Sequence, residues 1–119
     1  MNDKPAPTFI ASADILWIKK DGSEVQIGIR IGIPFKGDAN IWRCPAMLDG
    51  LDARYADIAG ETSLQALCLA VGFVRKRLRS LLDTGATLVS TSDRTSEMTI
   101  EWFNAMFGVG DLVSTKSDR

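Results

Sequence analysis

The sequence predicts an α+β fold: an antiparallel four-stranded β-meander with one long α-helix packed on one face and a small C-terminal β or helical element. Three features carry the prediction. Apolar residues alternate strictly through Val25, Ile27, Ile29, Ile31 and Ile33. An Asp21-Gly22 pair precedes that run, and an unbroken helical pattern extends from Thr62 to Gly85. A period of two is the signature of a half-buried strand, and Asp-Gly supplies the positive φ of a tight hairpin turn.

Residues 10–19 and 24–33 therefore form the first hairpin, with one aliphatic face and one small or polar face. Pro34 has no amide to donate and ends the pairing, leaving "FKGDAN" as a loop. In "IWRCPAML" the side chains of Trp42, Cys44, Ala46 and Leu48 share one side of a third strand, and Pro45 marks an edge or a bulge. "DGLD" turns the chain, and "ARYADIAG" forms a short fourth strand ending at Gly60.

Thr62 followed by Gln65 has the spacing of a capping box, and Gly85 is a good C-terminal stop, so a helix runs from about 63 to about 83. At ~1.5 Å per residue it is about 30 Å long, enough to cross a four-stranded sheet. Leu64, Leu67, Cys68, Val71, Val74, Leu78, Leu81 and Leu82 form the expected core stripe. Ala66, Leu69, Ala70 and Phe73 form a second apolar surface nearly opposite, to be covered by the C-terminal segment or by a second copy of the chain. Lys76, Arg77 and Arg79 read as a solvated basic face in the dipole-favoured half of the helix. Arg75 instead projects into the core stripe, where it must snorkel or meet an acid such as Asp49 or Asp57.

Residues 86–97 read as a polar connection. In "MTIEWFNAMF" the alternation of Met98, Ile100 and Trp102 favours a strand over 98–103 followed by a turn, against a short helix after Ser96. Residues 1–9 and 114–119 read as flexible tails of a single domain spanning 1–119.

The bulk composition narrows the function. A chain of 119 residues, 45% hydrophobic and 24% charged, has the makeup of one soluble globular domain. A net charge of −1 makes nucleic acid an unfavoured partner, and the apolar run from 64 to 74 is too short to cross a bilayer. The absence of histidine excludes Ser-His-Asp and Cys-His nucleophile activation and histidine metal sites. Cys44 and Cys68 lie in apolar surroundings without a C-x-x-C pair and read as free buried thiols of a reducing cytoplasm. Asp49, Asp52 and Asp57 read as solvated turn residues; neither a metal nor a cofactor is implied.

The most site-like group is Trp42, Cys44, Gln65 and Arg75: an indole and a thiol on one strand face, an amide at a helix N-terminus and an inward guanidinium. Together they could line a pocket for a small anion. The simpler reading makes the first two core, Gln65 a cap and Arg75 the partner of an aspartate.

"IWRCPAMLDGL", followed by "IAGETSLQALCLAVGFVRKRL", resembles a family of small uncharacterised bacterial proteins with a W-x-C strand, a G-L turn and an S-x-Q-A-L helix. The similarity spans about residues 10–83. It implies a bacterial cytoplasmic domain of unknown function and carries over no catalytic residue. The sequence is thus read as a noncatalytic cytoplasmic module, a protein-interaction or accessory (immunity-like) partner forming a homodimer, with Leu69 and Phe73 or an open sheet edge as its contact. The alternative is a small enzyme or ligand-binding subunit with its pocket at Trp42, Cys44, Gln65 and Arg75.

Overall fold

The computed structural model describes residues 8–109. The expected hairpin is present as β1 (Phe9–Ile18) and β2 (Glu24–Gly32), antiparallel, with Ile15 opposite Ile27 and Ala13 opposite Ile29. Asp21 holds the turn by accepting from the Ser23 amide at 2.9 Å, while Gly22 adopts φ +89°. Thr8 and Phe9, read as the end of a tail, join this pair: the Thr8 carbonyl accepts from the Ile33 amide at 2.9 Å. The remainder of the N-terminal tail and the tail at 114–119 lie outside the described residues.

The expected single meander is in fact two sheets. The run from Ile41 to Leu48 splits at Pro45 into β4 (Trp42–Cys44) and β5 (Ala46–Asp49). One half pairs with β3 (Phe35–Lys36) and β6 (Ile58–Gly60), the other with β2. A proline cannot donate within a ladder, so the chain changes sheets there. Its carbonyl still accepts from the Gly32 amide at 2.8 Å, and a Cβ on Gly32 would fall 2.8 Å from the Pro45 ring. The larger sheet has the order β5-β2-β1-β7, its last strand being Thr87–Ser90, and the smaller β3-β4-β6. The fourth strand is narrower than expected, confined to Ile58–Gly60.

Helix α1 spans Ser63–Asp83, in agreement with its sequence signals. The Thr62 hydroxyl accepts from the Gln65 amide at 3.0 Å and the Gln65 side chain accepts from the Glu61 amide at 2.6 Å. Gly85 closes the helix at φ +91°. The buried stripe keeps Val74, Leu78 and Leu81 as expected but is rotated in its first half: Ala66 and Ala70, expected on the opposite surface, are buried, whereas Leu64 is 68% exposed and Cys68 is exposed. The cause is the close approach of the small sheet. A Cβ on Gly60 would lie 2.6 Å from the Ala66 amide nitrogen, so the helix meets β6 through alanines and the larger leucines move to the margins. Rotation also carries Arg75 from the centre of the stripe to its flank.

Two C-terminal expectations are corrected. Residues 87–90, read as part of a polar connection, form β7 (Thr87–Ser90), the edge strand beside Ile15–Ile18 of β1; Leu88 and Val89 are buried. The strand expected at 98–103 is instead helix α2 (Ile100–Met106). The Thr99 hydroxyl caps it by accepting from the Trp102 amide at 3.1 Å, and Glu101 lies in its first turn. Of the alternating set only Met98 is sheet-like, its amide donating to the Leu88 carbonyl at 2.7 Å. Phe103 is 0% exposed and seals the core. Among the described residues no helix is long and apolar enough to cross a membrane.

Candidate functional site

Of the four residues read as a pocket, three lie around the small sheet. Trp42 is opposite Gly60, whose position also abuts Gln65 and Ala66, and Cys44 is opposite Ile58. Trp42 is half-buried with the Lys36 ammonium 5.7 Å from its ring centre. Cys44 is fully buried and its thiol donates to the Gly32 carbonyl at 3.4 Å. Burial, reinforced by the Asp57 carboxylate, pushes that thiol above the ordinary cysteine range, which favours the protonated, unreactive form. Gln65 is engaged in capping. Arg75 is ten residues further along α1, about 15 Å at the helical rise, and turns to a different element.

The two flanks of α1 hold the chain's less ordinary side-chain chemistry. On one, Arg77 donates to both carboxylate oxygens of Asp52, at 2.7 and 3.1 Å, and the Tyr55 hydroxyl donates to the same carboxylate. The Tyr55 ring meets Phe73 edge-on, centroids 4.6 Å apart at 82°. Arg77 therefore is not merely solvated, and Phe73 is flanked by the loop that follows β5. The Arg77 guanidinium holds the Asp52 carboxyl below its ordinary range, with the Tyr55 hydroxyl adding to the effect. Burial and the adjacent carboxylate push the Tyr55 phenol well above the usual tyrosine range. A phenol so tied keeps its proton and serves as a brace. Asp52, expected as a solvated turn residue, is instead the acceptor of two side chains; Tyr55 carried a single signal, that the chain's one tyrosine stands three residues after an aspartate in a glycine-led turn.

The brace backs an apolar pair. Leu69 is 48% and Phe73 39% exposed, one turn apart on the outer side of α1. Gly72, adjacent to Leu69 at i+3, has no atom within 4 Å of where its Cβ would be. A mid-helix glycine on an open surface costs about 0.5–1 kcal/mol relative to alanine, and nothing among the described residues requires it.

On the other flank Arg75 meets α2. Its guanidinium carbon is 5.8 Å from the Phe103 ring centre and its Nη2 reaches Asn104 Oδ1 at 3.5 Å, the long limit of a hydrogen bond. Its Nε is buried without a partner. Neither Asp49 nor Asp57 meets it: Asp57 pairs with Arg54 at 3.7 Å. One turn back along α1 and one turn onward along α2, Val71, Met106 and Phe107 face Ala11, Ala13, Ile29 and Ile31 across a groove of about 260 Å³. Ser12 completes the wall, at the stretch of β1 that β7 leaves unpaired.

A wider cleft of about 410 Å³ runs between Trp17–Lys20 and Thr84–Thr87. There the Lys19 ammonium sits 4.8 Å from the Trp17 ring centre. The last turn of α1 has no basic residue of its own, so Lys19 and Lys20 complement the negative end of its dipole.

Comparison with curated proteins and with solved structures gives no match. A family model described as a domain of unknown function, DUF6968, matches residues 15–110, which takes in every strand and helix described above except the first six residues of β1, Phe9–Asp14. The chain belongs to the DUF6968 family.

Proposed function

We propose that this domain is a noncatalytic protein-interaction module that forms a homodimer through the outer face of α1, and that it serves as an accessory, immunity-like partner of another protein in the cytoplasm. The observation that carries the reading is the braced apolar pair: Leu69 and Phe73 stand exposed beside Gly72, and Phe73 is fixed by Tyr55 through the Asp52–Arg77 pair. Binding energy at interfaces concentrates in a few large apolar anchors, and anchors immobilised beforehand lose less entropy on association. A glycine beside them lets a second helix approach closely. The absence of histidine and the protonated, buried Cys44 support the noncatalytic side of the reading.

Light scattering on the purified chain is expected to give the mass of a dimer, and Phe73→Glu or Leu69→Glu to give a folded monomer. A wild-type monomer at all concentrations removes the homodimer. The edge of β1 from Phe9 to Asp14 that faces away from β2, which no strand among the described residues pairs, is the competing surface. Ser12→Lys, which places a charge on that edge, is expected to leave the dimer intact; dissociation by this variant alone would move the interface from α1 to the sheet edge.

A further inference from the structure

The seam between α1 and α2 combines two features that ordinarily exclude each other: an apolar groove and, one helical turn away, a cation with no counter-charge among the described residues. Arg75 takes part in none of the ion pairs among the described residues, its only polar contact is the long one to Asn104, and its Nε is buried and unpaired. A guanidinium drawn out of water without a carboxylate or full hydrogen bonding is costly, so its setting is incomplete. Side chains on a helix lean toward its N-terminus, which tips Arg75 back toward Val71, four residues earlier. Val71 lines the groove. On the facing helix Phe103, under the guanidinium, and Phe107, in the groove wall, have ring centres 5.2 Å apart. Cation and groove are therefore adjacent stations along one seam.

We propose that this seam binds a small amphipathic carboxylate, its apolar body in the groove and its carboxylate on Arg75. The volume of about 260 Å³ equals the space of about nine liquid waters at ~30 Å³ each, which suits a chain or ring of roughly six to eight carbons. The lining is aliphatic or aromatic apart from Ser12, and Arg75 stands just beyond it, one helical turn from Val71. A carboxylate there completes the guanidinium with charge-assisted hydrogen bonds that the Asn104 amide oxygen supplies weakly. The site lies on the flank of α1 opposite the Tyr55 brace and does not depend on the dimer.

Sodium octanoate titrated into the full chain, followed by amide NMR shifts, tests the assignment. Saturable shifts are expected at Ala11, Ala13, Val71 and Phe107. Octanol, which has the tail without the charge, is expected to bind about tenfold more weakly, the size of effect a charge-assisted pair gives. Arg75→Met should bring the two ligands to equal affinity, and Ala13→Leu, which fills the groove, should abolish both. The proposal is overturned if octanoate produces no saturable shifts, if the shifts map to other residues, or if octanol binds as well as octanoate. Octanoate binding with a monomeric protein would sink the dimer alone, and a dimer blind to octanoate would sink the ligand site alone.

Discussion

Arg75 and Arg77 stand two residues apart on one helix, yet α1 treats them oppositely. On the Arg77 flank a loop brings a carboxylate and a phenol to the guanidinium, and every charge has its partner. On the Arg75 flank a second helix brings an aromatic ring and an amide, and among the described residues one nitrogen is left without a bond. The first arrangement is what a fold uses to fix a loop. The second stabilises nothing obvious in its cation and leaves an apolar groove beside it, which is why the two flanks are assigned different work.

The comparison breaks first at Phe103. This side chain is 0% exposed and anchors α2, so Phe103→Ala should destabilise by about 3–5 kcal/mol, the usual cost of truncating a buried aromatic. If urea unfolding shows a loss below about 1 kcal/mol, α2 is not part of the cooperative core, and the Arg75 seam is a loose appendage. On the other flank, Asp52→Ala removes the acceptor of both Arg77 and Tyr55 and should cost about 1–2 kcal/mol. The figure is modest because Arg77 is partly exposed and can return to water. The same variant should raise the mobility of Phe73, read as faster exchange of the amides around Tyr55.

How much of this was legible in the sequence follows the range of the interactions involved. The hairpin, the helix from Ser63 to Asp83 and its caps rest on neighbours within four residues, and Asp21, Thr62, Gln65 and Gly85 act as their chemistry dictates. The core face of α1 followed in its second half, where Val74, Leu78 and Leu81 are buried, but not in its first, because hydrophobicity favours Leu64 while the approach of Gly60 selects Ala66. Pro45 was visible as an interruption, but that it divides two sheets depends on which strand each half finds. The C-terminal third failed for a related reason: Leu88 and Val89 acquire strand character by pairing with β1 more than seventy residues earlier in the chain. Meanwhile Thr99 caps α2 locally against an alternation of Met98, Ile100 and Trp102 that proved accidental. The proposed pocket of Trp42, Cys44, Gln65 and Arg75 joined residues by type, and ten helical positions separate its last two members.

Acid should loosen the Arg77 flank before it touches the Arg75 flank. The Asp52 carboxyl is held below its ordinary range in the folded chain, so the unfolded chain takes up the proton first. The stability due to the brace is complete above the unfolded value of about 3.9 and is lost as pH falls through the lower folded one. The difference in urea midpoint between wild type and Asp52→Asn should therefore shrink as pH is lowered below about 4. A difference independent of pH would mean that Asp52 acts by shape and not by charge. At the alkaline end the sign reverses for Tyr55, whose raised phenol gives stability that fades as pH climbs past about 10.

The smallest expected effect is the most discriminating. Arg75→Met keeps the aliphatic stem over Phe103 and removes a half-buried cation whose Nε has no partner. Replacing such a charge by an apolar side chain of similar reach is often neutral or favourable. The urea midpoint should move by no more than about 0.5 kcal/mol equivalent, with an unchanged slope, and in either direction. A loss above about 1 kcal/mol would mean that the contacts to Asn104 and Phe103 hold α2 in place, making Arg75 a strut like Arg77 and erasing the contrast between the flanks. If instead the substitution is neutral for stability yet abolishes the preference for octanoate over octanol, then the fold carries an unpaired cation that it does not need for itself. That combination is the mark of a residue placed for a ligand.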